Sequence, residues 1–223
     1  MSIPESSSPR ETRAPETIAV LGAGTMGDGI AQVAAAAGFR VILRERDRDA
    51  LMRGIQAIER NLARGIQLGK LTEADRDETL QRIRGTLLMS ETGDADLFIE
   101  AAPEIMELKQ EILREVERVA RRPFIFATNT SSLAVTEIAS ASAQPATVVG
   151  MHFFNPVHIM RLVEIVVGRE TSDETLQTVR EVGRATTASP SVRGRPFERL
   201  RRTRPVSASP TAGGVAHTRY SGS

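Results

Sequence analysis

A glycine-rich segment near the start of the chain restricts the fold more than any other feature of the sequence. Residues 22–27 read G-x-G-x-x-G, after the apolar run Ile18–Leu21 and at the start of the alanine-rich segment Met26–Ala37. A short apolar run predicts a strand buried on both faces, and alanine favours helix. Strand, turn and helix in this order distinguish a nucleotide-binding turn from an ordinary glycine loop. We therefore expect a Rossmann-like domain.

Each glycine of this pattern has a separate physical task. Gly22 permits the tight turn, Gly24 lets the backbone approach a pyrophosphate, and Gly27 lets helix and strand pack closely. Thr25 and Met26 complete the turn. The first helical turn directs its N–H groups and its positive dipole end toward phosphate. We predict that these five residues bind a dinucleotide.

An acidic residue stands about twenty residues beyond the first glycine, as in dinucleotide-binding domains. Glu45 closely follows the apolar run Val41–Leu43. A carboxylate at this position accepts hydrogen bonds from the adenosine ribose hydroxyls and repels a 2′-phosphate, so we predict NAD rather than NADP. Arg44 and Arg46 flank Glu45 and would weaken that preference. The alternative is a structural turn with a solvated glutamate.

Apolar runs and amphipathic segments alternate along the following chain. A helix over Asp49–Arg64, a break over Gly65–Lys70 and a short helix from the capping box Thr72–Asp75 predict a helical hairpin insertion. Further helices are predicted at Ile105–Ala120 and Asp173–Arg184. Further strands are predicted at Val41–Leu43, Leu87–Met89, Leu97–Ile99, Phe124–Ala127, Val148–His152 and Leu162–Val167. The expected fold class is α/β, with a Rossmann-like doubly wound, mostly parallel sheet.

Composition excludes several classes of protein. The 223 residues include no cysteine, which excludes disulfides and thiolate catalysis, and we predict no metal site. The net charge of +1 gives no field that favours nucleic acid, so no nucleic-acid partner is expected. No apolar run approaches the roughly 20 residues that span a membrane. The first residues lack the apolar core of a secretory signal, so we expect no membrane partner and a cytoplasmic location.

Changes in residue composition divide the chain into three parts. Residues 1–15 are polar and rich in serine and proline, which predicts a flexible arm. Residues 16–184 carry the strand and helix alternation and form the predicted NAD-binding domain. In residues 185–223, Ser, Pro, Arg, Gly and Thr dominate and apolar residues are isolated. Such a segment buries too little surface to offset chain entropy, so we expect a disordered tail.

A histidine and a glutamate lie on the last two predicted strands. His152 ends one strand, and ligands of doubly wound sheets bind beyond the carboxyl ends of strands. A neutral imidazole can take a proton from an alcohol. Glu164 could hold the other ring nitrogen and stabilise the imidazolium. A histidine beside Phe153 and Phe154 is also compatible with a core residue, so the pattern alone leaves both interpretations open.

Several segments together resemble one family, the 3-hydroxyacyl-CoA dehydrogenases, and most closely the bacterial 3-hydroxybutyryl-CoA dehydrogenases. The segments are Gly22–Gly38, Phe98–Glu104, Thr128–Leu133, His152–Pro156 and Leu162–Glu164. They follow in family order within residues 16–183. The resemblance implies NAD-dependent oxidation of an L-3-hydroxyacyl-CoA, such as 3-hydroxybutyryl-CoA, to a 3-ketoacyl-CoA in fatty-acid β-oxidation. It also implies that His152 removes the hydroxyl proton and that Glu164 pairs with it.

The resemblance implies roles for further residues. Ser131 matches a serine that contacts substrate and nicotinamide, and Asn155 matches a residue near the nicotinamide. Glu104 and Lys109 match positions that contact the cofactor. From its place in the predicted helical hairpin, Lys70 could meet the CoA phosphates of an acyl-CoA substrate.

These assignments have structural alternatives. For Asn129 and Ser132, the alternative role is to cap the following helix. For Glu104, the alternative role is to stabilise a helix N-terminus with its negative charge. For Lys70, the alternative is a solvated lysine in a turn.

The resemblance ends where the tail begins. Family members continue into a helical domain that closes over the acyl chain and forms the dimer. The tail instead has the composition that a GC-rich reading frame gives out of register, so we expect a frameshift or truncation and loss of the dimer contacts. Because positioning lowers a barrier by about 7–11 kcal/mol, activity would be impaired. The alternatives are a non-catalytic NAD-binding remnant and a related sugar-acid dehydrogenase.

Overall fold

The computed structural model describes residues 15–160 and 162–187. Its strands are β1 (Thr17–Leu21), β2 (Arg40–Arg44), β3 (Ile83–Thr86), β4 (Leu97–Glu100), β5 (Ile125–Thr128), β6 (Val148–Phe153) and β7 (Val163–Val166). Within this part of the chain they form one seven-stranded sheet in the order β3-β2-β1-β4-β5-β6-β7. β1 to β6 run parallel, and β7 pairs antiparallel with β6. The predicted α/β, Rossmann-like and mostly parallel sheet is confirmed.

Helices cover both faces of the sheet. They are α1 (Gly27–Ala36), α2 (Arg48–Gln67), α3 (Glu73–Gln81), α4 (Met106–Val119), α5 (Val135–Ala139), α6 (Val157–Met160) and α7 (Asp173–Thr187). Ile18 and Val20 of β1 face a core shared with α1, α2 and α7. Ala19 and Leu21 face a second core shared with α4 and α5. Because both faces are buried, β1 is a continuous apolar run rather than an alternating one.

The helical hairpin is confirmed, with one boundary corrected. Thr72 Oγ1 accepts a hydrogen bond from the Asp75 N–H at 3.1 Å, and Asp75 Oδ2 accepts one from the Thr72 N–H at 2.8 Å. This is the predicted capping box. The predicted break at Gly65 is wrong, because α2 continues to Gln67. Gly65 instead leaves room for Leu71, whose Cδ1 would lie 2.6 Å from a Cβ at position 65. The chain turns at Gly69, with φ +66°.

The predicted strand at Leu87–Met89 is wrong. The strand lies just before it, at Ile83–Thr86, and pairs with β2 at the edge of the sheet. This segment has no apolar run, because an edge strand needs only one well-packed face. Gly85 fits beneath α2, where an added Cβ would lie 3.2 Å from the Ile55 and Leu51 side chains. Leu88 is 57% exposed and does not belong to the core.

The outer parts of the predicted domain division fall largely outside the described residues. Residues 1–14 and 188–223 are not described, so within them the flexible arm predicted over 1–15 and the disordered tail predicted over 185–223 stay predictions. The predicted start of the tail at residue 185 is wrong, because residues 185–187 are helical. α7 extends past the predicted end at Arg184 to Thr187. In the part of the chain that is described, no helix combines the length and the apolar character that a bilayer crossing requires.

Candidate nucleotide-binding turn and active site

The glycine turn connects β1 to α1 at the carboxyl edge of the sheet. Gly22 has φ +111°, in the region that favours glycine, and its N–H donates to the Arg44 carbonyl oxygen at 2.8 Å. A Cβ on Gly22 would lie 2.9 Å from the Ala101 carbonyl oxygen. A Cβ on Gly27 would lie 1.8 Å from the Gly22 carbonyl oxygen. These two positions therefore require glycine because protein backbone already occupies the space.

Gly24 differs from these two glycines, because no protein atom fills the space beside it. A Cβ at Gly24 would meet no protein atom within 4 Å, so the space above it is open. Gly24 and Thr25 are exposed, and their N–H groups donate to no acceptor within residues 15–160 and 162–187. The N-terminal end of α1 lies directly behind them, with Met26 as its N-cap. Free N–H groups at a helix N-terminus fit the phosphates of a dinucleotide.

Glu45 lies beside this turn, as predicted for a ribose-binding carboxylate. Its Oε2 accepts a hydrogen bond from the Ala23 N–H at 2.9 Å, and its Oε1 accepts one from the Arg46 N–H at 2.6 Å. The two flanking arginines are associated with Glu115 of α4. Arg46 Nη2 lies 3.8 Å from Glu115 Oε1. Burial lowers the pKa of Arg44, and the Glu115 charge opposes that effect.

His152 and Glu164 form a cross-strand pair. Residue 152 of β6 lies opposite residue 164 of β7 in the antiparallel register, so both side chains lie on the same face of the sheet. His152 Nδ1 is 3.5 Å from Glu164 Oε2, which is long for a hydrogen bond. Catalytic hydrogen bonds often tighten only when substrate is bound. The His152 side chain is 21% exposed, and its ring centroid lies 4.5 Å from that of Phe154, so the imidazole is partly accessible.

Asn129 holds the end of the histidine strand rather than a helix. Its Oδ1 accepts a hydrogen bond from the Phe153 N–H at 2.9 Å, directly after His152. The expectation that Asn129 caps the following helix is wrong. α5 begins after Ala134 without a side-chain cap, and the Ser132 N–H donates to Glu104 instead. Asn129 thus ties the ends of β5 and β6 together.

Glu104 organises the loop that contains Ser131. Its Oε1 accepts hydrogen bonds from the Ser131 N–H at 2.9 Å, from the Ser132 N–H at 3.1 Å and from the Thr130 hydroxyl. Desolvation acts to raise the pKa of Glu104, but these hydrogen bonds and the Lys109 charge outweigh it and lower the pKa to about 2. The alternative role as a helix N-terminal charge does not account for these contacts. Glu104 is therefore an ionised anchor for the Ser131 loop.

Lys109 is fully buried, and its ammonium is surrounded by protein oxygens. Nζ lies 2.9 and 3.0 Å from the two carboxylate oxygens of Glu100, 3.3 Å from the Ala102 carbonyl oxygen and 3.5 Å from Glu104 Oε2. Thr128 Oγ1 donates to Glu100 at 2.7 Å. Sequence reasoning missed Glu100 and Thr128. The available signal was a carboxylate at the end of a fully buried strand, since such a charge needs a buried partner.

The two remaining predicted residues lie at different places. Asn155 is exposed just beyond β6, close to His152 along the chain. Lys70 is exposed in the turn between α2 and α3. The described residues contain no cluster of three or more His, Asp or Glu side chains that could hold a metal ion.

The nucleotide-binding turn and the histidine lie next to each other because α6 packs on α1. A Cβ at Gly29 in α1 would lie 2.8 Å from the Val157 Cβ of α6. Val157 lies five positions after His152, so the segment beyond β6 contacts the first turn of α1. The glycine turn and the His–Glu pair thus share one edge of the sheet. A nucleotide bound at the turn and a substrate at His152 would be neighbours.

Fold and site together define a dinucleotide-binding domain of the dehydrogenase class. Residues 17–193 match the family described as 3-hydroxyacyl-CoA dehydrogenase, NAD binding domain. The chain belongs to this family, which uses NAD, and the resemblance seen in the motifs is confirmed. It is 40% identical to 3-hydroxybutyryl-CoA dehydrogenase of Clostridioides difficile, over 75% of this chain and 60% of that protein. It is 43% identical to the fatty acid oxidation complex subunit alpha of Acinetobacter baylyi, over 72% of this chain and 22% of that protein.

Solved structures agree with the sequence relatives. The crystal structure of (S)-3-hydroxybutyryl-CoA dehydrogenase from Ralstonia eutropha is similar, with a TM-score of 0.76 and 37% identity, over 78% of this chain and 62% of that chain. The chain spans about 60% of the length of the 3-hydroxybutyryl-CoA dehydrogenase relative.

Proposed function

We propose that the chain binds NAD and takes part in the oxidation of an L-3-hydroxyacyl-CoA, such as 3-hydroxybutyryl-CoA, to the 3-ketoacyl-CoA. The observation that carries this proposal is the His152–Glu164 pair on the strand end beside the glycine turn. The substrate class is supported by the names of the relatives, which are 3-hydroxybutyryl-CoA dehydrogenases and fatty acid oxidation subunits.

His152 acts as the general base in this proposal. Its Nδ1 is directed at Glu164, which leaves Nε2 to accept the proton from the 3-hydroxyl group. Glu164 fixes the tautomer and stabilises the imidazolium that forms when the proton arrives. When bound, NAD supplies the acceptor for the hydride that leaves C3 as the C=O bond forms.

The remaining predicted residues position the two ligands. The amides of Gly24, Thr25 and Met26 and the α1 dipole bind the pyrophosphate, while Gly22 and Gly27 shape the turn. Glu45 binds the adenosine ribose. In this proposal Asn155 and Glu104 contact the nicotinamide end of the cofactor, and Lys109, which is fully buried, acts there only through Glu104. Ser131 lies between cofactor and substrate, and Lys70 meets the CoA phosphates. A cytoplasmic location belongs to the same proposal, and fractionation of expressing cells would test it.

The test combines binding and turnover on the same preparation. NADH binding is measured by fluorescence, and turnover by the loss of NADH absorbance on addition of acetoacetyl-CoA. His152→Gln removes the base and should lower turnover by at least about a hundredfold, while NADH binding stays within about twofold. His158→Gln is the matched control, since His158 lies on α6 outside the pair.

The outcomes separate the candidate functions. Turnover in the wild type that is lost only in His152→Gln supports the proposed dehydrogenase. NADH binding without turnover in any variant would favour the non-catalytic remnant. Turnover of a small hydroxy acid that CoA thioesters do not inhibit would favour the sugar-acid dehydrogenase. Absence of NADH binding would refute the proposal as a whole.

A further inference from the structure

Glu100 and Lys109 form an ion pair with no exposed surface on either side chain. Glu100 is the last residue of β4, and Lys109 is in the second turn of α4. Both side chains are 0% exposed, and Nζ contacts both carboxylate oxygens. Lysine is almost never fully buried unless it is paired. The pair therefore connects the centre of the sheet to the helix above it.

The Glu100 carboxylate also fixes the backbone beside the glycine turn. Its Oε1 accepts a hydrogen bond from the Ala102 N–H at 2.6 Å, and Lys109 Nζ donates to the Ala102 carbonyl oxygen at 3.3 Å. The preceding carbonyl, that of Ala101, forms the wall that would contact a Cβ on Gly22 at 2.9 Å. The ion pair thus holds both polar groups of Ala102, immediately next to the wall of the nucleotide-binding turn.

The Lys109 ammonium also lies near Glu104. Nζ lies 3.5 Å from Glu104 Oε2. The other oxygen of Glu104 accepts the N–H groups of Ser131 and Ser132. A continuous chain of polar contacts therefore leads from Glu100 through Lys109 and Glu104 to the loop around Ser131.

Stability alone gives a weak reason for this arrangement. Desolvation raises the pKa of Glu100, and the Lys109 charge only partly opposes it, so the ionised carboxylate is costly to bury. Apolar residues of similar volume often replace a buried ion pair without loss of stability. Such residues would leave the polar groups of Ala102 unpaired and would remove the cation beside Glu104. The main consequence of the pair is orientation.

We propose that Glu100 is a positioning residue that acts through Lys109 and Glu104 to fix the loop containing Ser131. Its effect on catalysis rests on the proposed function, because that proposal locates Ser131 between cofactor and substrate. The effect of Glu100 on the order of the loop does not rest on the proposed function, because that order can be measured without any nucleotide or substrate.

The test uses amide hydrogen exchange of the whole chain. Glu100→Gln removes the negative charge that orients the Lys109 ammonium. The double variant Glu100→Gln/Lys109→Met replaces both members of the pair. Exchange at the Ser131 and Ser132 amides should become about tenfold faster in both variants, as expected when hydrogen bonds to a charged group weaken. Glu111→Gln, an exposed glutamate on the same helix, is the matched control and should leave the rates unchanged.

The double variant distinguishes positioning from a merely structural role. Glu100→Gln alone leaves a buried lysine without its main partner and can unfold the chain. The double variant removes both charges while the amide oxygen at position 100 can still accept the Ala102 N–H, so it should keep a melting temperature near that of the wild type. Fast exchange at Ser131 and Ser132 with wild-type stability supports the inference. Wild-type exchange at these amides in the double variant would overturn it.

A conservative variant and a kinetic measurement complete the test. Glu100→Asp keeps the charge but withdraws the carboxylate by one methylene, so exchange of the Ser131 loop should lie between that of the wild type and that of Glu100→Gln. If the wild type turns over acetoacetyl-CoA, the double variant should lower kcat more than it raises the KM for NADH. If the wild type shows no turnover, the proposed function fails while the exchange result still decides the role of Glu100.

Discussion

Glu104→Gln tests the electrostatic anchor of the Ser131 loop most directly. The substitution keeps the size of the side chain but removes its charge. Desolvation opposes ionisation of Glu104, yet the hydrogen bonds from Thr130, Ser131 and Ser132 and the Lys109 charge lower its pKa from 4.5 to about 2. The folded state therefore binds this proton more weakly than the unfolded chain does, and that difference appears in stability.

The size of the effect follows from the pKa difference. A fall from 4.5 to about 2 sets an upper limit of about 3 kcal/mol, because one pKa unit is worth about 1.4 kcal/mol. The Glu104 side chain is 34% exposed, so solvent screening reduces this limit. We expect Glu104→Gln to lower the free energy of unfolding by about 1–2 kcal/mol near neutral pH.

The pH dependence gives the prediction its sign. A depressed folded-state pKa contributes stability above the unfolded-state pKa of 4.5, and that contribution is lost as pH falls from about 4.5 to about 2. Glu104→Gln lacks this contribution at every pH. All other carboxylates titrate in both proteins, including Glu100, so to first order they cancel in the difference between the two.

The assay is urea unfolding followed by circular dichroism at several pH values from neutral to acidic. The difference in unfolding free energy between wild type and Glu104→Gln should shrink steadily below about pH 4.5. Glu111→Gln serves as the control, because Glu111 is an exposed glutamate on α4. A difference that stays constant down to about pH 3 would refute the assigned ionisation of Glu104.

Further variants test the other parts of the site. Gly27→Ala should destabilise the fold and abolish NADH binding, since its Cβ would lie 1.8 Å from the Gly22 carbonyl oxygen. Gly24→Ala should fold normally, as its Cβ meets no protein atom, but should weaken NADH binding measured by fluorescence. Glu45→Gln should improve NADPH binding relative to NADH by about tenfold, because adjacent like charges repel by about 1–4 kcal/mol. Lys70→Gln should raise the KM for acetoacetyl-CoA severalfold without changing NADH affinity.

Each of these variants has a result that contradicts its prediction. Wild-type stability of Gly27→Ala would contradict the packing of the turn, and unchanged NADH affinity of Gly24→Ala would contradict the location of the pyrophosphate. An unchanged preference in Glu45→Gln would remove Glu45 from ribose recognition. An unchanged KM in Lys70→Gln would leave Lys70 a solvated turn lysine.

The central strands were predictable because burial on both faces produces continuous apolar runs. Ile18–Leu21 and Leu97–Ile99 each gave a strand within a residue of its observed bounds. The edge strand Ile83–Thr86 has no such run, so the apolar pattern wrongly favours the neighbouring Leu87–Met89. Gly65 predicts a helix end that the structure does not have. Its small size instead leaves room for the Leu71 side chain. Contacts between residues far apart in the sequence cannot be predicted from local residue types.

The site was predictable where one residue type implies one chemistry at a fixed distance along the chain. The glycine turn and Glu45 have such a fixed spacing, and the hydrogen bond from the Ala23 N–H to Glu45 brings them together in the structure. Glu100 and Thr128 have no such spacing, because their partners lie elsewhere in the sequence and become visible only when β4, β5 and α4 pack. The sequence around Asn129 likewise suggests only a local helix cap, because its partner Phe153 lies on another strand.

Three glutamates near this edge of the sheet show why location, rather than residue type, assigns their roles. Glu100 is fully buried, its pKa is raised by desolvation, and its contacts fix other protein groups. Glu104 is partly exposed and held ionised by surrounding donors, so it can order a loop that a ligand approaches. Glu164 is 55% exposed, and among the described residues its ion-pair partner is His152 at 3.5 Å, a contact that would shorten under the proposed function when a proton arrives on the imidazole. Glu100 and Glu104 therefore hold fixed protein groups, whereas Glu164 is left to respond to His152 in the proposed mechanism.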